Sequence, residues 1–278
     1  MFSDQSQKYF QKENKILYEK FKKNPSFTKF LSLIKKGQLP RPHYGLCLLL
    51  AAMQAKDLGL NKLKIIELGC ANFDGLVDIE NYVHDIQSFL DIEVELFGFT
   101  LKEGLPKYKI NNFDRLYGWQ PGDYSLESDK NQKKLKTSKI YFGDIKETIP
   151  KFLKDFENTF VDSPLGLIFF DLDYYTSTKI GLELLNMDSN NYLPRTYTYF
   201  DDHSFSAFDE GERRAIYEFN KESENNISDI GELAEQLSIH FNKWIFLGKR
   251  IKVINYYENK NFSKKTSNPL GFNNYFSH

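Results

Sequence analysis

Residues 63–75 read LKIIELGCANFDG: an apolar run, then Glu67, Leu68 and Gly69, then a turn of small residues. A short apolar run closed by an acidic residue and a glycine predicts a β-strand passing through a tight turn into a helix. Downstream, the same alternation repeats. Strands are expected at 63–68 (LKIIEL), 94–99 (VELFGF), 139–142 (KIYF), 165–170 (LGLIFF) and 196–200 (TYTYF). Helices fit between them at about 75–90, 146–158, 176–187 and 209–222. Repeated β-then-α units imply an α/β fold, a mostly parallel sheet with helices on both faces. A closing antiparallel hairpin is expected from 244–247 and 250–256 around Gly248-Lys249.

Upstream, residues 1–36 read as polar helix, and GLCLLLAAMQA at 45–55 reads as a buried helix over 44–58 after the turn Pro40-Arg41-Pro42. The expected organisation is a helical cap over 1–58, a main domain over 59–257 and a frayed tail over 258–278. Residues 103–137 are too long for a simple connection and predict a lid or substrate-facing insertion.

The chain has 278 residues, 41% hydrophobic and 27% charged, enough for one α/β domain with appended helices. Its 37 basic and 38 acidic residues leave no field to attract nucleic acid or an anionic membrane. The longest apolar run is far shorter than a membrane span, and the polar N-terminus lacks the pattern of a signal peptide. Two cysteines, Cys47 and Cys70, form no disulfide framework, so a reducing cytoplasm is the expected compartment. Homo-oligomerisation is left open.

In an open α/β sheet a ligand sits beyond the carboxyl ends of the strands. Three strand ends therefore supply candidate nucleoside contacts: Glu67, Gly69, Cys70, Ala71 and Gly75 after the first, Thr100 after the second, and Gly143, Asp144 and Ile145 after the third. The dinucleotide spacing G-x-G-x-x-G is absent. Asp144 also suits the N-cap of the helix that follows.

The densest chemistry lies at Phe170-Asp171-Leu172-Asp173-Tyr174-Tyr175-Thr176-Ser177-Thr178 and at Phe200-Asp201-Asp202-His203. Both follow apolar strands, so both emerge on the rim that carries the 67–75 loop. Carboxylates converging there repel one another unless protonated or bound to a cation. Oxygen-only ligands suit a hard ion such as Mg2+, making Asp171, Asp201 and Asp202 the candidate ligands and Asp173 or His203 the candidate general base. The plainer roles are helix caps: Asp173 or Thr176 ahead of 176–187, and Asp209 with Glu212 as a capping-box variant ahead of 209–222.

The elements E-x-G at 67–69, G-F-x-x-x-x-G-L-P at 98–106, G-D-I-x-x-T-I-P at 143–150, D-x-D-x-Y-x-S-T at 171–178, the D-D pair thirty residues on and G-E-R-R-A-I-x-E-F at 211–219 together resemble the macrocin and mycinamicin type sugar O-methyltransferases. The resemblance spans about residues 60–220. It implies a Rossmann-like methyltransferase fold, S-adenosylmethionine as cofactor and often Mg2+, with Asp171, Asp201 and Asp202 at the family's metal positions and Asp173 at the position of its proposed base. It makes the expected acceptor a hydroxylated small molecule such as a sugar or glycoside. The sequence departs from the family at Thr100, where an acidic residue usually grips the ribose, and at Asn72-Phe73, where relatives carry glycines. Two other readings stay open: a degenerate relative that binds cofactor or sugar without turnover, and a nucleotide-sugar oxidoreductase. A metal-dependent hydrolase is a weaker third.

Overall fold

The computed structural model describes residues 21–107, 111–114, 118–126, 128–203, 209–230, 237–264 and 266. The expectations for residues 1–20, for 108–110, 115–117 and 127 of the 103–137 insertion and for most of the tail lie outside them.

The strands are β1 (Lys62–Leu68), β2 (Glu93–Thr100), β3 (Lys139–Phe142), β4 (Leu165–Phe170), β5 (Tyr192–Phe200), β6 (Ile227–Asp229) and β7 (Ile251–Asn255). They form one seven-stranded sheet in the order β3-β2-β1-β4-β5-β7-β6. The first five run parallel, and β7 pairs antiparallel with both β5 and β6. This is the Rossmann-like α/β arrangement expected from the sequence.

Residues alternate between two cores along each central strand, as the pleat requires. Ile65, Leu167, Phe169 and Tyr199 enter one core; Ile66, Ile168, Phe170 and Phe200 enter the other. The first is covered by α1 (Pro25–Lys35), α2 (Pro42–Asp57) and α3 (Asp74–Gln87); the second by α4 (Ile145–Phe156), α5 (Tyr175–Gly181) and α6 (Gly211–Glu222). Helix α2 is apolar all round because it lies between the sheet and α1 and α3. Pro42 at its first turn explains its start, since a proline there gives up no intrahelical bond.

Two expectations at the sheet's end are corrected. Residues 244–247 are not a strand: they open the short helix α7 (Trp244–Arg250), with the Trp244 ring fully buried. The antiparallel partner of β7 is β6, a three-residue strand too short to leave an alternating pattern. Strand β5 also begins four residues earlier than expected, at Tyr192, across Pro194 and a register shift against β4. The backbone of Arg195 at that irregularity is satisfied from α2: Gln54 Oε1 accepts its N–H at 3.0 Å and Gln54 Nε2 donates to its carbonyl at 2.6 Å. The start of the tail is tied down, Asn259 Nδ2 donating to Ser189 O (2.7 Å) and Tyr192 O (2.9 Å).

Candidate functional site

The strand order reverses between β1 and β4, and there the two strand ends come close together. Gly69 holds φ +88°, and a Cβ on it would stand 1.8 Å from the Asp171 carbonyl oxygen, so a glycine is required. Around this point opens a cavity of about 380 Å³ at the carboxyl ends of the parallel strands, where an open α/β sheet takes its ligand. Gly69, Ala71, Thr100, Gly143, Asp144, Ile145, Asp171, Asp173, Asp201 and Asp202 all line it. Those positions come from every parallel strand end, and the structure brings them to one space.

Four expected residues, Glu67, Cys70, Gly75 and His203, do not line the cavity. Glu67 lies beneath the loop, 2% exposed, its Oε1 where a Cβ on Gly75 would fall. Burial raises its proton affinity to about pH 7, and its Oε2 has no hydrogen-bond partner. Cys70 is buried beside it, donating through Sγ to the Glu67 carbonyl. His203 is half-buried; burial and then Lys252 lower its pKa to about 4, and Arg213 and Arg250 act in the same direction. Its surroundings are the cationic side of the β6–β7 edge.

Asp173 sits at φ +58°, left-handed backbone that non-glycine residues seldom adopt, and is 6% exposed. That conformation turns its side chain to Asp202, with which it hydrogen-bonds carboxyl to carboxyl. Burial foremost, then the neighbouring carboxylates, push the proton affinities of Asp171 and Asp173 far above the carboxylate range. Asp201 is held differently: its Oδ1 accepts from Arg250 Nη1 (2.8 Å) and from the Tyr199 hydroxyl (2.8 Å).

Asp144 caps α4, accepting from Lys146 N at 2.9 Å, while also lining the cavity, so both readings of that residue hold together. Neither Asp173 nor Thr176 caps α5. The cap comes from the insertion: Asp114, 1% exposed, accepts from Thr176 N (2.7 Å) and Thr176 Oγ1 (2.9 Å). The expected capping box at α6 is absent too. Asp209 pairs with Arg214 (2.6 Å), and Glu212 turns inward to accept from Asp202 N at 2.9 Å. Glu212, whose spacing suggested a cap, supports the backbone of the cavity residue Asp202 instead.

The insertion supplies the cavity's outer wall. Backbone bonds from Leu105 N to Asp123 O (2.8 Å), Gly122 N to Leu105 O (2.9 Å) and Leu126 N to Lys102 O (2.9 Å) clasp it to the end of β2. Trp119 and Tyr124, edge to face with centroids 5.7 Å apart, line the cavity together. Burial, then Asp173 and Asp202, raise the Tyr124 phenol to about 12.

Among the described residues no group of three His, Cys, Asp or Glu side chains is arranged to hold a metal ion. The chemistry of the donor set nevertheless fits a hard cation. Asp171, Asp173, Asp201 and Asp202 are oxygen donors that line the cavity together.

No helix among the described residues is long and apolar enough to cross a membrane. No family model matches the chain, and no curated protein matches it in sequence. Solved structures are similar to it in shape. CalS11, a TDP-rhamnose 3'-O-methyltransferase of calicheamicin biosynthesis, is 15% identical over 85% of this chain and 95% of its own, with a TM-score of 0.43. The plantazolicin methyltransferase BamL, solved with a triazolic desmethylPZN analog and SAH, is 9% identical over 88% of this chain and 97% of its own, with a TM-score of 0.38. BpumL, a plantazolicin methyltransferase in the same kind of complex, is 12% identical over 91% and 99%, with a TM-score of 0.38. At this degree of likeness the strand order and the cavity of this chain, rather than its neighbours, carry the reading.

Proposed function

We propose that the protein is an S-adenosylmethionine-dependent methyltransferase acting on a hydroxyl of a small molecule, a sugar or glycoside in the first instance. The observation that carries this is one cavity holding both halves of the chemistry: the Gly69–Ala71 turn, Thr100 and Gly143–Ile145 on one side, and Asp171, Asp173 and Asp202 on the other. The glycine turn lets backbone approach a nucleoside, and Asp144 and Ile145 offer an acceptor and an apolar face for the adenine. S-adenosylmethionine, when bound, supplies an electrophilic methyl on sulfur, which passes to the acceptor oxygen as the carbon–sulfur bond breaks.

The chain's own residues then position and deprotonate the acceptor. Asp173, beside Asp202 at the cavity, takes the hydroxyl proton in its ionised form, which a bound cation would favour; His203, outside the lining, is not given that role. Trp119 and Tyr124 present aromatic faces to the acceptor and narrow the cavity against water. Asp171, Asp201 and Asp202 would hold a divalent cation such as Mg2+, which would polarise the acceptor oxygen.

A panel of methyl glycosides and polyols, incubated with the protein and S-adenosylmethionine with and without Mg2+, tests this by release of S-adenosylhomocysteine and a methyl ether detected by mass spectrometry. Release without a methylated acceptor, or none across the panel together with no binding of S-adenosylmethionine, rejects the reading.

A further inference from the structure

The insertion after β2 is tied to the domain at each of its described stretches. Near its start Gly104 holds φ +79°, and a Cβ there would fall 2.3 Å from the Asp123 carbonyl oxygen. A glycine is what lets residues 102–105 and 122–126 lie side by side. In the middle, Phe113 O accepts from Gly211 N at 2.8 Å, beside the Asp114 cap of α5. At the far end Glu80 of α3 accepts from Lys136 N (2.9 Å), Thr137 N (3.0 Å) and Ser138 N (2.8 Å), and Asn131 Nδ2 donates to Asp74 Oδ1 (2.8 Å). The outer wall of the cavity is therefore preformed, which spares an acceptor the cost of ordering it.

The turn that carries the two rings of this wall is specified just as closely. Pro121 and Gly122 are the central residues of a β-turn closed by Asp123 N donating to Gln120 O at 3.0 Å, with Gly122 at φ +92°. Gln120 N donates back to Asp123 Oδ2 at 2.7 Å. Tyr124, next in the chain, takes φ +60°, left-handed backbone that a bulky side chain seldom adopts. Its ring and that of Trp119 have centroids 5.7 Å apart and planes inclined at 60°, and both line the cavity. Tyr124 is 48% exposed and Trp119 half-buried, so core packing does not account for either position. Strained backbone that presents an exposed ring to a cavity points to a binding role.

Burial, then the charges of Asp173 and Asp202, act on the Tyr124 phenol, so the aromatic corner adjoins that carboxyl pair. An acceptor that reaches both needs an apolar face for the rings and a hydroxyl at its edge. A planar ring is held most fully in a slot between parallel faces, whereas two rings inclined at 60° leave a corner that a puckered ring fills. The negative face of an aromatic ring also attracts the weakly positive C–H groups on one face of a saturated sugar ring. We propose that the Trp119–Tyr124 corner seats the ring of the acceptor, taking a pyranoside by its C–H face and leaving a ring hydroxyl toward Asp173. The inference rests on the hydroxyl-acceptor reading given above and names the residues that select the acceptor. A linear polyol lacks such a face, and a catechol lacks the pucker.

The test uses the full chain with and without S-adenosylhomocysteine, probed by methyl glucopyranoside, methyl rhamnopyranoside, sorbitol and catechol. Saturation-transfer NMR shows which ligand protons touch the protein. Tryptophan emission shows whether the contact is at Trp119, because the other of the two tryptophans, Trp244, is fully buried. The expected result is binding of a pyranoside with saturation strongest on its ring C–H protons, a change in emission, and no measurable binding of sorbitol or catechol. Trp119→Leu and Tyr124→Asn, the second tolerant of left-handed backbone, are each expected to weaken that binding by about 3- to 10-fold with S-adenosylhomocysteine affinity unchanged. Should one variant fail to fold, the other decides. Wild-type pyranoside affinity in the variants would overturn the inference, as would sorbitol or catechol binding as tightly as the pyranosides, or a chain that binds S-adenosylhomocysteine and no pyranoside. A chain that takes up no S-adenosylhomocysteine removes the methyltransferase reading, and the samples without that ligand still decide the ring seat.

Discussion

Arg250 Nη1 donates to Asp201 Oδ1 at 2.8 Å and to the Tyr199 hydroxyl at 3.2 Å, so the residue that leads into β7 holds the carboxylate at the end of β5. Arg250 is 12% exposed and Asp201 35%, so solvent screens the pair in part. Arg250→Met removes the donor from Asp201 and leaves its charge beside Asp171 and Asp202. It is expected to lower stability by about 1–2 kcal/mol in urea unfolding. A variant as stable as wild type would show that Asp201 is held by other groups.

Asp173 combines left-handed backbone with burial against Asp202, both unfavourable to folding. Asp173→Gly removes the backbone strain and the burial of a carboxyl and is expected to raise stability by about 1 kcal/mol. Asp173→Asn keeps the shape and loses the base, which should lower kcat by about 10²- to 10⁴-fold with S-adenosylmethionine binding unchanged. Thermal unfolding and steady-state rates check the pair; an Asp173→Asn enzyme with full kcat would remove Asp173 from the chemistry.

Gln54→Leu strips the Arg195 N–H and carbonyl of their α2 partners in a fully packed region. The expected loss is about 1–3 kcal/mol, since two buried hydrogen bonds to the Arg195 backbone are lost. Cofactor affinity should be untouched, because the site lies at the other end of the strands. A loss below about 0.5 kcal/mol in denaturant titration would mean that other groups can serve the irregularity.

Glu67 makes stability fall with rising pH. The folded chain keeps the Glu67 proton to about pH 7, whereas the unfolded chain gives it up near 4.5. Between those values the folded state binds the extra proton, so stability declines as pH rises through the window, by about 3 kcal/mol in all. The neutral imidazoles of His43, lowered to about 3, and His203, lowered to about 4, act oppositely. Their unfolded forms charge near 6.5, so they remove stability as pH falls below that value. In the cofactor-free protein Glu67→Gln should flatten the decline between pH 4.5 and 7; an unchanged slope would place the titration elsewhere.

The sequence pattern reached far where a residue's role follows from its strand. The ends of β1 and β4 were legible because parallel strands buried on both faces read as near-continuous apolar runs that stop at Gly or Asp. The cavity's carboxylates follow from those ends. What was not legible depends on distant partners. The start of β5 across Pro194 needs Gln54, 141 residues away, and the α5 cap comes from Asp114, 62 residues away. Trp244 to Leu247 are residue types that favour strands, yet tertiary burial of the Trp244 ring sets a helical turn there. Glu212 carried the spacing of a cap, and its bond to the Asp202 backbone depends on a partner ten residues away.

The turn at Gly69 and the ends of β2 and β3 are proposed to bind S-adenosylmethionine. Gly69→Ala would force the β1 and β4 ends apart, since its Cβ falls 1.8 Å from the Asp171 carbonyl oxygen. Calorimetric titration of S-adenosylmethionine into wild type and Gly69→Ala separates a cofactor site from a mere cleft. One-to-one binding is expected for the wild type and none measurable for a folded Gly69→Ala. A wild type that evolves no binding heat at any temperature tried, with or without Mg2+, or a Gly69→Ala that binds as tightly, would contradict the assignment.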